Sequence, residues 1–273
     1  MKYSAIISNG KYSCGTAIIP GEACTAVRKA AAYGYNGVQL TIASPDDYDW
    51  PTLKSTLKET GLIVTALATG RIYSVEHLSM GSSNLANRTA SVKHLCHLAD
   101  VAADLDGAGL IIGACRGNTR DALDSKTYFS NFEISLKQLC AYAETLGVPI
   151  LIELIEHLES DAYYKIEPLQ KLLTSINAPN LFMYMDTMHL YNESEDILAV
   201  LKHWGAKIPQ LDISGENRLP PMSSAINFAD VVKALKESGF DGVLTFEVNP
   251  HDQPEVAKES LLFIKDLWET IKI

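Results

Sequence analysis

Four acids close short apolar runs in the second half of the chain: Glu153 in "PILIELIEHLES", Asp186 in "LFMYMDTMHLY", Asp212 in "QLDISGENR" and Glu247 in "LTFEVNP". They stand 33, 26 and 35 residues apart, each close to one strand-plus-helix repeat. Carboxylates brought to one place raise one another's pKa and cannot all stay ionised without a cation. A divalent ion resolves that repulsion. An oxygen-only set suits Mn²⁺ or Mg²⁺ better than zinc, with Co²⁺ and Zn²⁺ left open. His189 follows Asp186 by three positions and can donate to a ligand oxygen, or can bond a loop carbonyl as an ordinary histidine. Any one of the acids could equally cap a helix or pair with an arginine. The fourfold register is what points to a shared site.

Such convergence needs elements that deliver four chain segments to one mouth. Apolar runs at 3–8, 37–42, 62–68, 109–115, 148–154, 180–186, 208–214 and 242–248 read as strands covered on both faces. Between them lie amphipathic segments at 22–34, 84–105, 131–147 and 228–239, and a last one at about 254–271. Gly34, Gly61, Gly107, Gly147 and Gly239 stand where a left-handed residue would end a helix. Eight strand-then-helix units without a long linker predict an α/β fold, one (β/α)8 TIM barrel domain over residues 1–273. An open doubly wound sheet is the alternative, but no GxGxxG follows the first strand. In a barrel, function sits at the C-terminal strand ends, where all four acids fall.

Composition narrows the partners. A chain of 273 residues, 47% of them hydrophobic, can bury one large core. The net charge of −10 opposes binding to phosphate backbones or anionic membranes, so the expected partner is a small molecule and not nucleic acid or lipid. Five cysteines without a CxxC argue against a disulfide framework and against a thiolate zinc knuckle. The N-terminal apolar run is too short for a signal peptide, and no run reaches membrane-spanning length. A reduced, cytoplasmic, soluble protein is expected. A homo-oligomer is left open, since nothing marks one helix face as an interface.

From "LIELIEHLES" through "YMDTMHL" and "QLDISGENR" to "LTFEVNP", the chain resembles the sugar isomerase/epimerase superfamily of xylose isomerase-like barrels. The resemblance is to ketose 3-epimerases and hydroxypyruvate isomerase relatives in particular, and it is weak in the first half. It implies one divalent metal held by Glu153, Asp186 and Glu247, with Asp212 where most relatives place a histidine. It also implies substrate contacts from His189, from Arg218 in "GENR" and from Glu159, with His157 in reach. Gln39 stands where many relatives carry a glutamate behind the site, and Glu156 matches no role. Asp212 takes the ligand set to −4, which favours a hard cation but polarises a carbonyl less.

The implied reaction is carbohydrate epimerisation or isomerisation: proton transfer beside a ketose carbonyl through a metal-stabilised cis-enediolate, with Glu153 and Glu247 as the acid/base pair. A dry pocket is needed, so Tyr12, Trp50 and Tyr73 are candidate cover. Arg71 and Arg116 follow the third and fourth strands and could clamp a phosphate or carboxylate. No Gly-rich phosphate nest accompanies them, which favours an unphosphorylated ketose or an acid-bearing substrate. Two alternatives stay open. One is a metal-dependent dehydratase of a cyclic polyol ketone or dehydroshikimate-like acid. The other is a barrel that has lost catalysis and binds a sugar. The superfamily's DNA-repair endonuclease branch fits poorly, because it needs a histidine-rich site and a basic face, against 7 histidines and −10 here.

Overall fold

The computed structural model describes residues 1–11, 15–250, 253 and 255–273. Eight parallel strands follow one another around a closed barrel in chain order: β1 (Lys2–Ile7), β2 (Gly37–Thr41), β3 (Ile63–Ala68), β4 (Gly109–Ile112), β5 (Ile150–Glu153), β6 (Leu181–Asp186), β7 (Gln210–Ile213) and β8 (Val243–Phe246). Among the described residues, ten α-helices lie between the strands and after β8: α1 (Ala23–Tyr33), α2 (Trp50–Thr60), α3 (Arg71–Glu76), α4 (Leu85–Ala103), α5 (Ser125–Thr145), α6 (Ile166–Ile176), α7 (Thr187–Asn192), α8 (Ile197–Trp204), α9 (Phe228–Ser238) and α10 (Val256–Thr270). This is the expected (β/α)8 fold. The chain clusters into two compact units, one of Met1–Leu40, Tyr48–Thr65 and Tyr184–Ile273, the other of Thr41–Asp47 and Ala66–Met183.

Local chemistry sets the element boundaries. Asn84, Asp124 and Asn227 each accept backbone N–H bonds that would otherwise be orphaned at the starts of α4, α5 and α9. The Asp124 cap starts α5 six residues before the expected position, and Tyr128 and Phe132 then turn into the core. Gly34, Gly61 and Gly239 end α1, α2 and α9 with left-handed backbones, where a Cβ would crowd the chain. Short α3 and α7 lie directly after strands. Their six residues are too few to leave a periodic signature in the sequence.

Inside the first unit, a polar layer crosses the apolar strands. Gln39 on β2 accepts from Gln210 on β7 and from the Tyr184 hydroxyl on β6 at 3.3 Å, and Gln210 also donates to the Thr245 hydroxyl on β8 at 2.7 Å. Ser4 and Thr65 share a hydrogen bond of 2.8 Å across β1 and β3. Buried amides without partners would be destabilising by several kcal/mol, and here each answers another. Gln39 is therefore an interior strut of the barrel.

Candidate active site

Asp186 is the last residue of β6 and also the N-cap of α7. Its Oδ1 accepts the Met188 N–H at 2.6 Å, which pins the carboxylate at the strand end. α7 then carries His189, which is 2% exposed. The end of β7 is stitched alongside: the Thr187 hydroxyl donates to the Ser214 carbonyl at 2.6 Å and accepts the Ser214 N–H at 3.0 Å. Asp186 and Asp212 face each other in register across β6 and β7, and both are buried.

Arg218 joins these groups to the end of β8. One of its nitrogens bonds Asp186 and lies 3.0 Å from Glu247, while the other stands 3.2 Å from His189 Nε2. The same guanidinium donates to the Ser214 hydroxyl at 3.1 Å. The backbone that aims it is unusual: Asn217 and Arg218 are consecutive left-handed residues, at φ 54° and 61°. Such non-glycine positions are disfavoured by about 1 kcal/mol each and persist only where the surroundings hold them. Here the Gly215 N–H donates to the Leu219 carbonyl at 2.8 Å, and the Asn249 N–H to the Arg218 carbonyl at 2.9 Å.

The two carboxylates that share Arg218 titrate apart. Burial pushes Asp186 up, but the Arg218 charge, His189 and its hydrogen bonds outweigh that and hold it below the usual carboxylate range. Burial also pushes Glu247 up, and with the Asp186 charge beside it the pKa reaches about 7, although Arg218 pulls the other way. One site thus offers a carboxylate that stays ionised and another that exchanges a proton near neutrality.

In the second unit, Glu153 ends β5 and its carboxylate lies over Gly113, just past β4. Glu156 is buried, whereas His157 and Glu159 in the loop after β5 are exposed, and the His157 ring stands 5.8 Å from Tyr164. Arg71 opens α3 and is partly exposed. The Tyr73 hydroxyl donates to Asp121 at 3.1 Å. In the first unit, Trp50 packs on Tyr48 with ring centres 5.2 Å apart. Tyr12 lies outside the described residues.

Arg116 requires a correction. It is fully buried, and its guanidinium donates to the carbonyls of Ile112, Gly113, Ala162 and Glu153. A guanidinium enclosed by backbone carbonyls cannot also clamp a substrate anion, so Arg116 leaves the substrate-binding set. The residues that sequence reasoning missed are Thr187 and Ser214, which stitch two strand ends together, and Gly113. None of these carries a spacing signal. Acidic and histidine side chains that could bind a divalent ion are present among the described residues.

The chain belongs to the xylose isomerase-like TIM barrel family, whose profile matches residues 27–267. It is similar to a ketose 3-epimerase of Arthrobacter globiformis, 24% identical over 224 residues, covering 81% of this chain and 75% of that protein. It is also similar to an L-ribulose 3-epimerase of Methylomonas sp. (strain DH-1), 23% identical over 271 residues, with 89% and 91% of the two chains covered. The crystal structure of a D-allulose 3-epimerase from Methylomonas sp. in complex with D-allulose shares the fold, with a TM-score of 0.78 at 22% identity over 97% of this chain and 98% of that one. These homologues and this structural neighbour are sugar epimerases. Among the described residues, no helix is long and apolar enough to cross a membrane.

Proposed function

We propose that this protein is a divalent-metal-dependent ketose epimerase, with Glu153 and Glu247 as its acid/base pair. The observation that carries the reading lies at the ends of β6, β7 and β8. There, buried Asp186 and Asp212 stand in register, and Glu247, with its pKa near 7, shares Arg218 with Asp186. Glu153, the last residue of β5, is the further acid this reading assigns to the set.

The donor set fits a hard divalent cation. Glu153, Asp212 and Glu247 form one group with suitable ligand atoms. Asp186 is the fourth acid, already held ionised. The set is all oxygen, which favours Mn²⁺ or Mg²⁺. The ion, when bound, supplies positive charge to the ketose carbonyl and neighbouring hydroxyl as negative charge develops there.

The protein's own groups do the rest. One glutamate removes the proton beside the carbonyl, and the other returns one on the opposite face, which inverts the carbon. The Glu247 pKa of about 7 belongs to the metal-free protein; with the ion bound, that proton is displaced and the carboxylate stays ionised, ready to take one from substrate. Arg218 and His189 orient substrate oxygens as donors, and Glu159 and His157 are the further substrate contacts this reading assigns. With Arg116 withdrawn, only Arg71 remains of the two loop arginines considered as an anion clamp, and Arg218 is already engaged by Asp186 and Glu247. That favours an uncharged ketose over an acid-bearing dehydratase substrate.

The test is exchange of a ketose C3 proton with solvent deuterium, measured by NMR with Mn²⁺ present and D-allulose as the first probe, extended to other ketoses. Wild-type protein is expected to exchange. Glu247→Gln is expected to lose at least about 10²-fold, the usual worth of a general acid or base, with an unchanged far-UV circular dichroism spectrum. Wild-type exchange rates in Glu247→Gln would refute the two-glutamate mechanism.

A further inference from the structure

We propose that Gly113 and Arg116 are positioning residues for the Glu153 carboxylate, Gly113 by leaving it room and Arg116 by fixing the backbone that carries it. The inference rests on the reading of Glu153 as metal ligand and base, and it assigns work to two residues that themselves touch neither metal nor substrate.

Gly113 follows β4 with φ −96° and ψ −122°, a backbone that does not itself demand glycine. What demands it is space. A Cβ at this position would stand 2.2 Å from Glu153 Oε2 and 3.5 Å from its Cδ. The obstructed atom is the far end of a flexible side chain, so an added methyl can be accommodated by moving the carboxylate while the backbone stays in place. The missing Cβ therefore sets where the Glu153 oxygens lie.

Arg116 works from beneath. Its Nε donates to the Gly113 carbonyl at 3.0 Å, and its terminal nitrogens donate to Ile112 at 2.8 Å, to Ala162 at 3.1 Å and to the Glu153 carbonyl. One planar fork thus ties the end of β4, the end of β5 and the loop beyond β5. The arginine is itself held, since the Tyr128 hydroxyl donates to its carbonyl at 2.9 Å. A buried cation whose hydrogen bonds all go to neutral carbonyls is a poor stabiliser relative to an apolar side chain. Its geometry explains its presence better: five donors in a fixed plane hold three segments at set distances, which a lysine cannot do. Glu153 is at once the residue whose backbone the fork grips and the one whose side chain Gly113 admits.

Mn²⁺ alone is the probe, titrated calorimetrically into metal-free protein, with circular dichroism and thermal melting on each variant. Gly113→Ala is expected to keep its fold and to bind Mn²⁺ about 10- to 100-fold more weakly, the usual effect of disturbing a residue that orients a ligand. In a Glu153→Ala background the added Gly113→Ala is expected to cause no further loss, because the side chain it would displace is gone. Arg116→Lys keeps the charge but not the fork, and is expected to weaken Mn²⁺ binding by a similar factor. If Arg116→Lys does not fold, the Gly113 cycle decides. Wild-type affinity in Gly113→Ala, or an undiminished loss in the Glu153→Ala background, would overturn the positioning role. Unchanged binding in Glu153→Ala alone would instead sink the ligand assignment of Glu153, and the inference with it.

Discussion

Glu247 and Asp186 are two carboxylates on one arginine, and their environments push them in opposite directions. Glu247 has a raised pKa, so the folded protein binds that proton more tightly than the unfolded chain does. Its contribution to stability is complete below its ordinary value of 4.5 and is lost as pH rises through about 7. Asp186 has the opposite sign: its contribution is present above 3.8 and is lost as pH falls. Denaturant unfolding of chelator-treated protein between about pH 5 and pH 8 should therefore show stability falling by about 2 kcal/mol, and Glu247→Gln should flatten the curve. Mn²⁺ affinity should rise over the same window, because the ion needs the carboxylate and displaces its proton. Asp212 makes a separate prediction. If it is a ligand, Asp212→His supplies the donor that the family resemblance implies at that place, and deuterium exchange should stay within a fewfold of wild type or rise. Loss of Mn²⁺ binding in that variant would count against the assignment.

At the scale of the elements, the site depends on where strands stop and how the next segment starts. β6 ends at the residue that caps α7, so one aspartate terminates the strand, starts the helix and faces the site. The strands were legible as apolar runs, and the acids at their ends were legible as breaks in those runs. The gaps in the reading have physical causes. α3 and α7 are too short to show periodicity. The Gln39–Tyr184–Gln210 layer needs partners from three strands, which no local window contains. Arg116 has the residue type of an anion clamp and the position of one, and only its enclosure by four carbonyls reveals a different task. Caps, by contrast, act locally and far from the chemistry. Asn84 accepts the Ala86 N–H at 3.0 Å and the Asn87 N–H at 3.3 Å, so Asn84→Ala should destabilise the protein by about 1 kcal/mol in denaturant unfolding. Its Mn²⁺ affinity should not move.

For the whole molecule, the net charge of −10 suits a protein that gathers a cation. The fold was readable from the apolar runs along the whole chain, and the family from its second half. The substrate was not, because sugar recognition is a matter of pocket shape and the loops that shape it carry little pattern. The central claim is a divalent ion held by carboxylates from β5 to β8, and the most direct measurement is elemental analysis of protein purified without chelator or a metal-affinity column. About one Mn²⁺- or Mg²⁺-type ion per chain is expected, lost on Glu247→Ala with the fold retained. A wild-type protein that holds no ion even after dialysis against Mn²⁺ in the millimolar range would contradict the account.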